Sequence, residues 1–483
     1  MPVYYCTADE VRAAEAATGD LLTGGTLMVR AAHGVAQAVL TELRGTGGCY
    51  GRSVGLVIGA GNNGGDALYA GAELGRHGVA VTAVLLVPDQ THEGGLAALR
   101  RAGGRIVASL PAGLDAVVDG VVGIGGRGPL RPAAAAVFAA LDPDTTVVAV
   151  DLPSGVDADT GVIHNPAVRA DITVTFGVLR RAHLLAAEQC GRVTVIDIGL
   201  GAAGDGSVAA LTDADVAAAW PVPGPHDDKY TQGVVGIVAG SQQYPGAAVL
   251  CTGGAVAATS GMTRFIGGAA PQVVAHRPEV VAVERFDDAG RVQAWVVGPG
   301  LGVDERAEAM VERVLAADVP VLVDADGLTV LARRPDLRSG RTAPTLLTPH
   351  AGEFARLAGA PVGPDRLTAT RELAARLGAT VLLKGRITLV ADPDGQVYGN
   401  DAGSSWAATA GAGDVLSGIA GALLAAGRSP LVAGAAAARV HARAARAASR
   451  GVPIGASDLL GAVPTALRDL LVDEQGATGV QRT

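Results

Sequence analysis

Two three-layer α/β domains in tandem, each on a largely parallel sheet, are what this sequence predicts, and three observations predict them. The chain has 483 residues, more than one ordinary core organises. Short Val-rich runs alternate with Ala-rich runs, the pattern of buried parallel strands and covering helices. Glycine-rich or polar turns follow the Val-rich runs in both halves, where ligands bind such sheets. Hydrophobic residues make up 49% and aromatics only 3%, so the cores must be Ala, Val and Leu in close packing. A net charge of −9 without a basic tract argues against a nucleic-acid binder. Cys6, Cys49, Cys190 and Cys251 are scattered without metal-ligand spacing, which fits a reducing compartment. No signal peptide opens the chain and no apolar run is long enough for a bilayer, so a soluble, cytoplasmic protein is expected, with no membrane partner.

The first half begins with helical periodicity over 8–44, apolar at Leu21, Leu22, Leu27, Met28, Val35, Val39 and Leu40, with Gly24-Gly25 dividing it into two helices. Packing or a subunit contact is its expected role. A strand over 53–58 leads into Gly59-Ala60-Gly61-Asn62-Asn63-Gly64-Gly65-Asp66, and a helix is expected from about 66 to 77. Strand, glycine-rich turn and helix form the nucleotide-binding layout. The Asn-Asn-Gly-Gly-Asp run adds two amides and a carboxylate where backbone approaches a ligand closely, although a turn with two left-handed residues reads the same way. Strands at about 79–87, 115–122 and 146–150 follow. The second presents Asp119 and then Gly123-Ile124-Gly125-Gly126-Arg127-Gly128-Pro129; the third presents Asp151-Leu152-Pro153-Ser154-Gly155. Asp119, Asp151 and the paired asparagines should meet at one rim, with hard oxygen donors suited to an alkali or alkaline-earth cation.

These stretches resemble the NAD(P)H-hydrate epimerase domain, a Rossmann-like fold that uses bound potassium to interconvert two epimers of a hydrated nicotinamide cofactor. The resemblance implies that Asn62, Asn63, Gly64, Gly65, Asp66, Gly123, Ile124, Gly125, Gly126, Arg127, Gly128, Pro129 and Asp151 hold the hydrate. It implies that Asn63, Asp119 and Ser154 ligate K+, with Asp119 also the acid/base. Ala67 stands where that family usually has Gly.

Strands near 171–176 and 193–198 complete the first sheet, and Pro221-Val222-Pro223-Gly224-Pro225 marks a domain boundary near 215–226. The expected domains are residues 1–220 and 226–475.

The second domain restarts with strand 234–239, then Tyr244-Pro245-Gly246-Ala247-Ala248 opening a helix. Strand 294–297 precedes Gly298-Pro299-Gly300-Leu301-Gly302, and strand 320–323 precedes Asp324-Ala325-Asp326-Gly327. Strand 345–347 ends in Thr348-Pro349-His350-Ala351-Gly352-Glu353, and strand 379–383 in Lys384-Gly385-Arg386-Ile387-Thr388. His350 also reads as a turn residue, and Asp324 and Asp326 as helix caps. Lys384 is more pointed: Lys229 and Lys384 are the only lysines beside 36 arginines, and a lysine at a strand end before Gly can reach phosphate. Last comes Gly411-Ala412-Gly413-Asp414, ahead of helices near 414–427, 431–449 and 456–471. Bare glycine N–H groups at a helix start make an anion pocket. A carboxylate there would repel phosphate, so Asp414 suits proton removal from a hydroxyl beside it, or else caps the helix.

Together these motifs resemble the ribokinase-like fold, and within it the ADP-dependent NAD(P)H-hydrate dehydratase. Ala410 and Ala412 depart from the family's more frequent Gly-Gly-Ser-Gly-Asp or Gly-Gly-Thr-Gly-Asp. The resemblance implies Asp414 as catalytic base, and Ala247, Gly302, His350 and Asp414 on the hydrate. It places Lys384, Gly385, Arg386, Ile387, Thr388, Gly411 and Gly413 on the nucleotide. It further implies ADP as co-substrate, Mg2+ with the ADP, and a homo-oligomer acting on small molecules. The expected function is cofactor repair, epimerisation followed by dehydration. A ribokinase-like small-molecule kinase with a regulatory N-terminal module uses the same Asp and anion hole, and a non-enzymatic nucleotide sensor needs only the binding.

Overall fold

The computed structural model describes residues 1–201 and 204–478, and resolves into two compact units, Tyr4–Gly206 and Met1–Val3 with Ser207 onward. In the first, seven parallel strands lie in the spatial order Arg105–Ile106, Ala80–Leu85, Ser53–Ile58, Ala116–Gly120, Thr146–Val150, Ile172–Phe176 and Arg192–Ile196. Strand side chains alternate between faces. Val54, Leu56 and Ile58 pack with helices Thr26–Gly45 and Asn62–Arg76, whereas Val57 and Val117 meet Val137 and Phe138 of helix Pro132–Ala139. Helices therefore cover both faces, as expected of three layers.

The sheet of the second unit runs Val281–Val283, Met262–Ile266, Val234–Val238, Ala294–Val297, Val321–Val323, Thr345–Leu347, Thr380–Leu383, Ile387–Ala391, Val397–Asp401 and Val208–Ala210. It is parallel as far as Thr380–Leu383, and the next two strands join antiparallel. Val235, Ile237, Val296, Leu322 and Leu346 share a core with the Ala-rich helices Pro245–Ala258, Ala412–Ala425 and Pro430–Ser449. Helices Glu305–Leu315 and Arg366–Leu377 pack on other strand residues. Among the described residues no helix is long and apolar enough to cross a membrane.

Four expectations change. The N-terminal helical stretch forms three helices, Ala8–Ala16, Asp20–Thr23 and Thr26–Gly45. The helix expected from 66 begins at Asn62, because only Gly61 takes a positive φ (+82°) and Asn62 to Gly65 are helical. Residues 387–388, expected only to follow strand 379–383, start a strand of their own. The units divide after Gly206, ahead of the expected 215–226. Val208–Ala210 pairs with Val397–Asp401, and Asp213 bonds to Arg439 (2.9 Å) and to Arg443, so residues 207–220 belong to the second unit.

Two candidate active sites

The second unit gathers its polar residues around the start of helix Ala412–Ala425. Gly411 caps that helix at φ +86°, where a Cβ would be strained and would lie 2.5 Å from Leu250 Cδ1. Ala412, Asp414 and Val415 donate their N–H groups within the turn, which leaves that of Gly413 unpartnered among the described residues. Lys384 reaches the same point from the end of its strand; a Cβ on Gly413 would lie 3.4 Å from its Nζ. The ammonium is 2.7 Å from Asp324 Oδ1 and 3.6 Å from Glu353 Oε2. Burial disfavours its charge, but Asp324 and Glu353 outweigh burial and raise its pKa. Glu353 is fixed in turn by a capping box: it accepts the His350 N–H (2.8 Å), and His350 Nδ1 accepts the Gly352 N–H (2.9 Å).

Asp414 is pushed up to about 7, by burial first and then by the charge of Asp324, against the opposing pull of Lys384. Two cavities meet at this turn. One, of about 300 Å³, is lined by Lys384, Gly385, Arg386, Thr388, Gly413 and the buried His441, among others. The other, of about 570 Å³, is lined by Tyr244, Ala247, Gly300, Asp326, Gly411 and Asp414. A phosphate in the first would face Lys384 and the Gly413 N–H, with Asp414 on a hydroxyl in the second.

In the first unit, Asn62, Asn63 and Gly64 form the opening turn of a helix pressed onto its strand, since a Cβ on Gly64 would meet the Gly59 carbonyl at 2.5 Å. Asp119, at the end of the adjacent strand, is completely buried. Its Oδ1 accepts the Ser154 hydroxyl (2.7 Å) and the Val121 N–H (3.1 Å), and its Oδ2 accepts the Ser154 N–H (2.8 Å). Burial raises its pKa to about 6 against these bonds, and no described basic residue pairs with it. A Cβ on Gly123 would fall 2.9 Å from Asn63 Oδ1 and 3.1 Å from Asp151 Oδ2, so the glycine loop passes against both side chains. Asn63 Nδ2 and Asp66 Oδ1 are buried without hydrogen-bond partners, as polar atoms reserved for a ligand would be. The Asp66 carboxyl is held well above its ordinary range, by burial and then by Asp151 and Glu15. Asp151 takes φ +67° and is fastened by Arg180 (2.9 Å), Thr175 (3.0 Å) and, at its carbonyl, His183 Nε2 (2.9 Å).

The NAD(P)H-hydrate dehydratase family model matches residues 235–461, and the model of the YjeF-related protein N-terminus matches 24–182. A bifunctional NAD(P)H-hydrate repair enzyme of Mycobacterium leprae is 59% identical over 474 residues, 97% of this chain and 100% of that one. Its Mycobacterium tuberculosis counterpart is 61% identical over 426 residues, 88% and 89% of the two chains. The chain belongs to the family of bifunctional NAD(P)H-hydrate repair enzymes. A ribokinase-like superfamily protein of Enterococcus faecalis, 24% identical, superimposes on 56% of this chain and 98% of its own with a TM-score of 0.51, which shows the fold of the second unit.

For a repair enzyme of this family, most of the expected site residues are brought together. Lys384, Gly385, Arg386, Thr388 and Gly413 line one cavity, Ala247 and Asp414 the other, and Gly302 joins the second by donating its N–H to Asp326 (2.8 Å). Three residues fall elsewhere. His350 lines the Lys384 cavity, Gly411 lines the Asp414 cavity, and Ile387 is buried in its strand. In the first unit Ile124 packs toward Leu152 and Val156, while Asn62 and Arg127 are exposed. Ala67 fits in place of Gly because its neighbour across the strand is Gly120. Sequence reasoning left out Glu353 and Ser417 as site residues and left Asp324 open between the cleft and a helix cap. Their only signal was position, at a strand end, beside His350 and one helical turn after Asp414. Nothing in the Ala-rich run around His441 announced its place in the cavity wall.

Proposed function

We propose that this chain repairs hydrated NADH and NADPH: its first domain interconverts the R and S hydrates, and its second dehydrates the S hydrate at the expense of ADP. The observation that carries the reading is the meeting of the two cavities at Gly411–Asp414, with a cation and a free N–H on one side and a buried carboxylate on the other. ADP phosphates lie against Lys384 and the Gly413 N–H; the hydrate lies along Ala247 with its hydroxyl at Asp414. Asp414 takes the hydroxyl proton as the oxygen accepts the terminal phosphoryl group, and Gly413 and Lys384 stabilise the charge that develops. Phosphate then leaves with that oxygen, the ring nitrogen supplies the electron pair, and loss of a ring proton restores the dihydronicotinamide. Mg2+ is expected to arrive on the nucleotide, since it keeps waters and phosphates as ligands.

In the first domain, Asn63, Asp119 and Ser154 are proposed to hold K+. The fit rests on a buried Asp119 carboxylate without a basic partner, bonded to Ser154, and on the Asn63 amide, whose Nδ2 is buried without a hydrogen-bond partner. When bound, the ion would supply positive charge for the hydrate's oxygens. Asp119, whose carboxyl burial pushes up to about 6, is the proposed acid/base of the epimerisation. A homo-oligomer in the cytoplasm is the proposed setting, with light scattering as the test of assembly.

Incubation with hydrated NADH, ADP, Mg2+ and K+ tests the function. Return of the reduced-nicotinamide absorbance with release of phosphate and AMP is expected. A stable phosphorylated product without that absorbance would replace the reading with the small-molecule kinase.

A further inference from the structure

Asp324 has a place at the dehydration site that helix capping does not require. It is 1% exposed, at the end of strand Val321–Val323. Its Oδ1 accepts from Lys384 Nζ (2.7 Å) and its Oδ2 from the Ser417 hydroxyl (2.8 Å). Ser417 lies three residues after Asp414 on the same helix, hence on the same face. Asp324 is thus tied at once to the phosphate-side cation and to the helix that presents the base.

We propose that Asp324 is a positioning residue for the dehydration: it fixes Lys384 beside the Gly413 N–H, and its negative charge makes Asp414 the stronger base that hydroxyl activation needs. The inference rests on the proposed function for its chemistry, but its electrostatic part is a property of the chain alone. Burial is the largest influence on Asp414, and Asp324 is the largest of the charges acting on it. The other groups facing Asp414 are few. Lys384 opposes Asp324, Asp326 and Glu353 act with it more weakly, and the buried Cys251 thiol on helix Pro245–Ala258 is held neutral by burial. His441 is buried, bonded to the Ala412 carbonyl and kept neutral; Asp458 accepts the Gly455 N–H. Asp324 is therefore the charge to change.

Asp324→Asn makes that change with little else, since an amide can still accept from Lys384 and pair with the Ser417 hydroxyl. The first readout is the carbon-13 titration of the Asp414 carboxyl, assigned by its loss in Asp414→Asn; the second is the acid limb of kcat/KM for dehydration. In Asp324→Asn both midpoints are expected to fall, by about one pH unit. The plateau kcat should fall as well, because a weaker base drives the transfer less, while epimerisation reports intact folding. Unmoved midpoints in an Asp324→Asn protein that still epimerises would overturn the proposal, since a merely structural role lowers activity without shifting the titration. If that variant does not fold, Asp324→Ser carries the test: it removes the same charge, so the Asp414 midpoint must again fall, and a midpoint that stays overturns the idea equally. The titration needs no turnover, so a wild-type protein that fails to dehydrate would refute the proposed function and leave this result standing.

Discussion

A carboxylate that must take a proton near neutral pH has to resist losing its own, and Asp414 is built that way. Its pKa of about 7, against an ordinary 3.8, follows from burial beside Asp324. Asp414→Asn should lower dehydration by roughly 100- to 10,000-fold, the usual worth of a general base, and leave epimerisation unchanged; coupled assays on each epimer measure both. The same shift has a cost in stability with a definite sign. The folded state binds this proton more tightly than the unfolded chain, so the group's contribution is fully present below the unfolded pKa and is lost as pH rises through about 7. Relative to wild type, Asp414→Asn should therefore gain melting temperature between pH 4 and pH 8; an equal difference at both would contradict the buried carboxylate. How far residues spoke for themselves depends on what made them unusual. Lys384 stood out by the scarcity of lysine, and Asp414 by its glycines. Asp324 and Glu353 did not, because an acid at a helix start looks like any cap until the fold brings an ammonium to it.

At the scale of elements, the strands that carry the site loops were legible, whereas Met262–Ile266, Val281–Val283, Val397–Asp401 and Val208–Ala210 were not expected. Val-rich runs can hardly be anything else in so aromatic-poor a chain, and the strands at 53–58, 146–150, 294–297 and 345–347 lie where they were expected. The misreading at Asn62 to Gly65 has a plain cause. Asn and Gly are poor helix formers in a helix interior, but the first turn needs no N–H partners and tolerates both. Close packing of that helix explains another feature, the alanine at 67. A Cβ on Gly120 would stand 2.5 Å from Ala67 Cβ, so the two positions can carry one methyl between them. Gly120→Ala should destabilise the first domain by about 1–3 kcal/mol, and adding Ala67→Gly should recover most of it. Melting of the single and double variants, followed by epimerase activity, measures the coupling; strictly additive losses would mean the methyls do not compete.

At the scale of the whole chain, the number and class of the domains were legible, but the join was not. The Pro-rich run 221–225 is a loop within the second unit, and the strand and short helix before it were too brief to declare which sheet they serve. The more consequential question is why the two domains share a chain. If each catalyses its own step and the hydrate passes between them through solution, the steps need not be linked covalently. Asp119→Ala, which removes the buried anchor of Ser154, should then consume one epimer quickly and leave the other to slow spontaneous exchange. Asp414→Asn alone should return reduced cofactor only at its roughly 100- to 10,000-fold lower rate, yet it keeps a working first domain. Mixing the two proteins should therefore turn the two-phase progress curve of Asp119→Ala into a single phase that reaches completion. Persistence of the slow phase, with Asp414→Asn shown separately to epimerise, would mean that the first domain's product reaches only the dehydratase of its own chain.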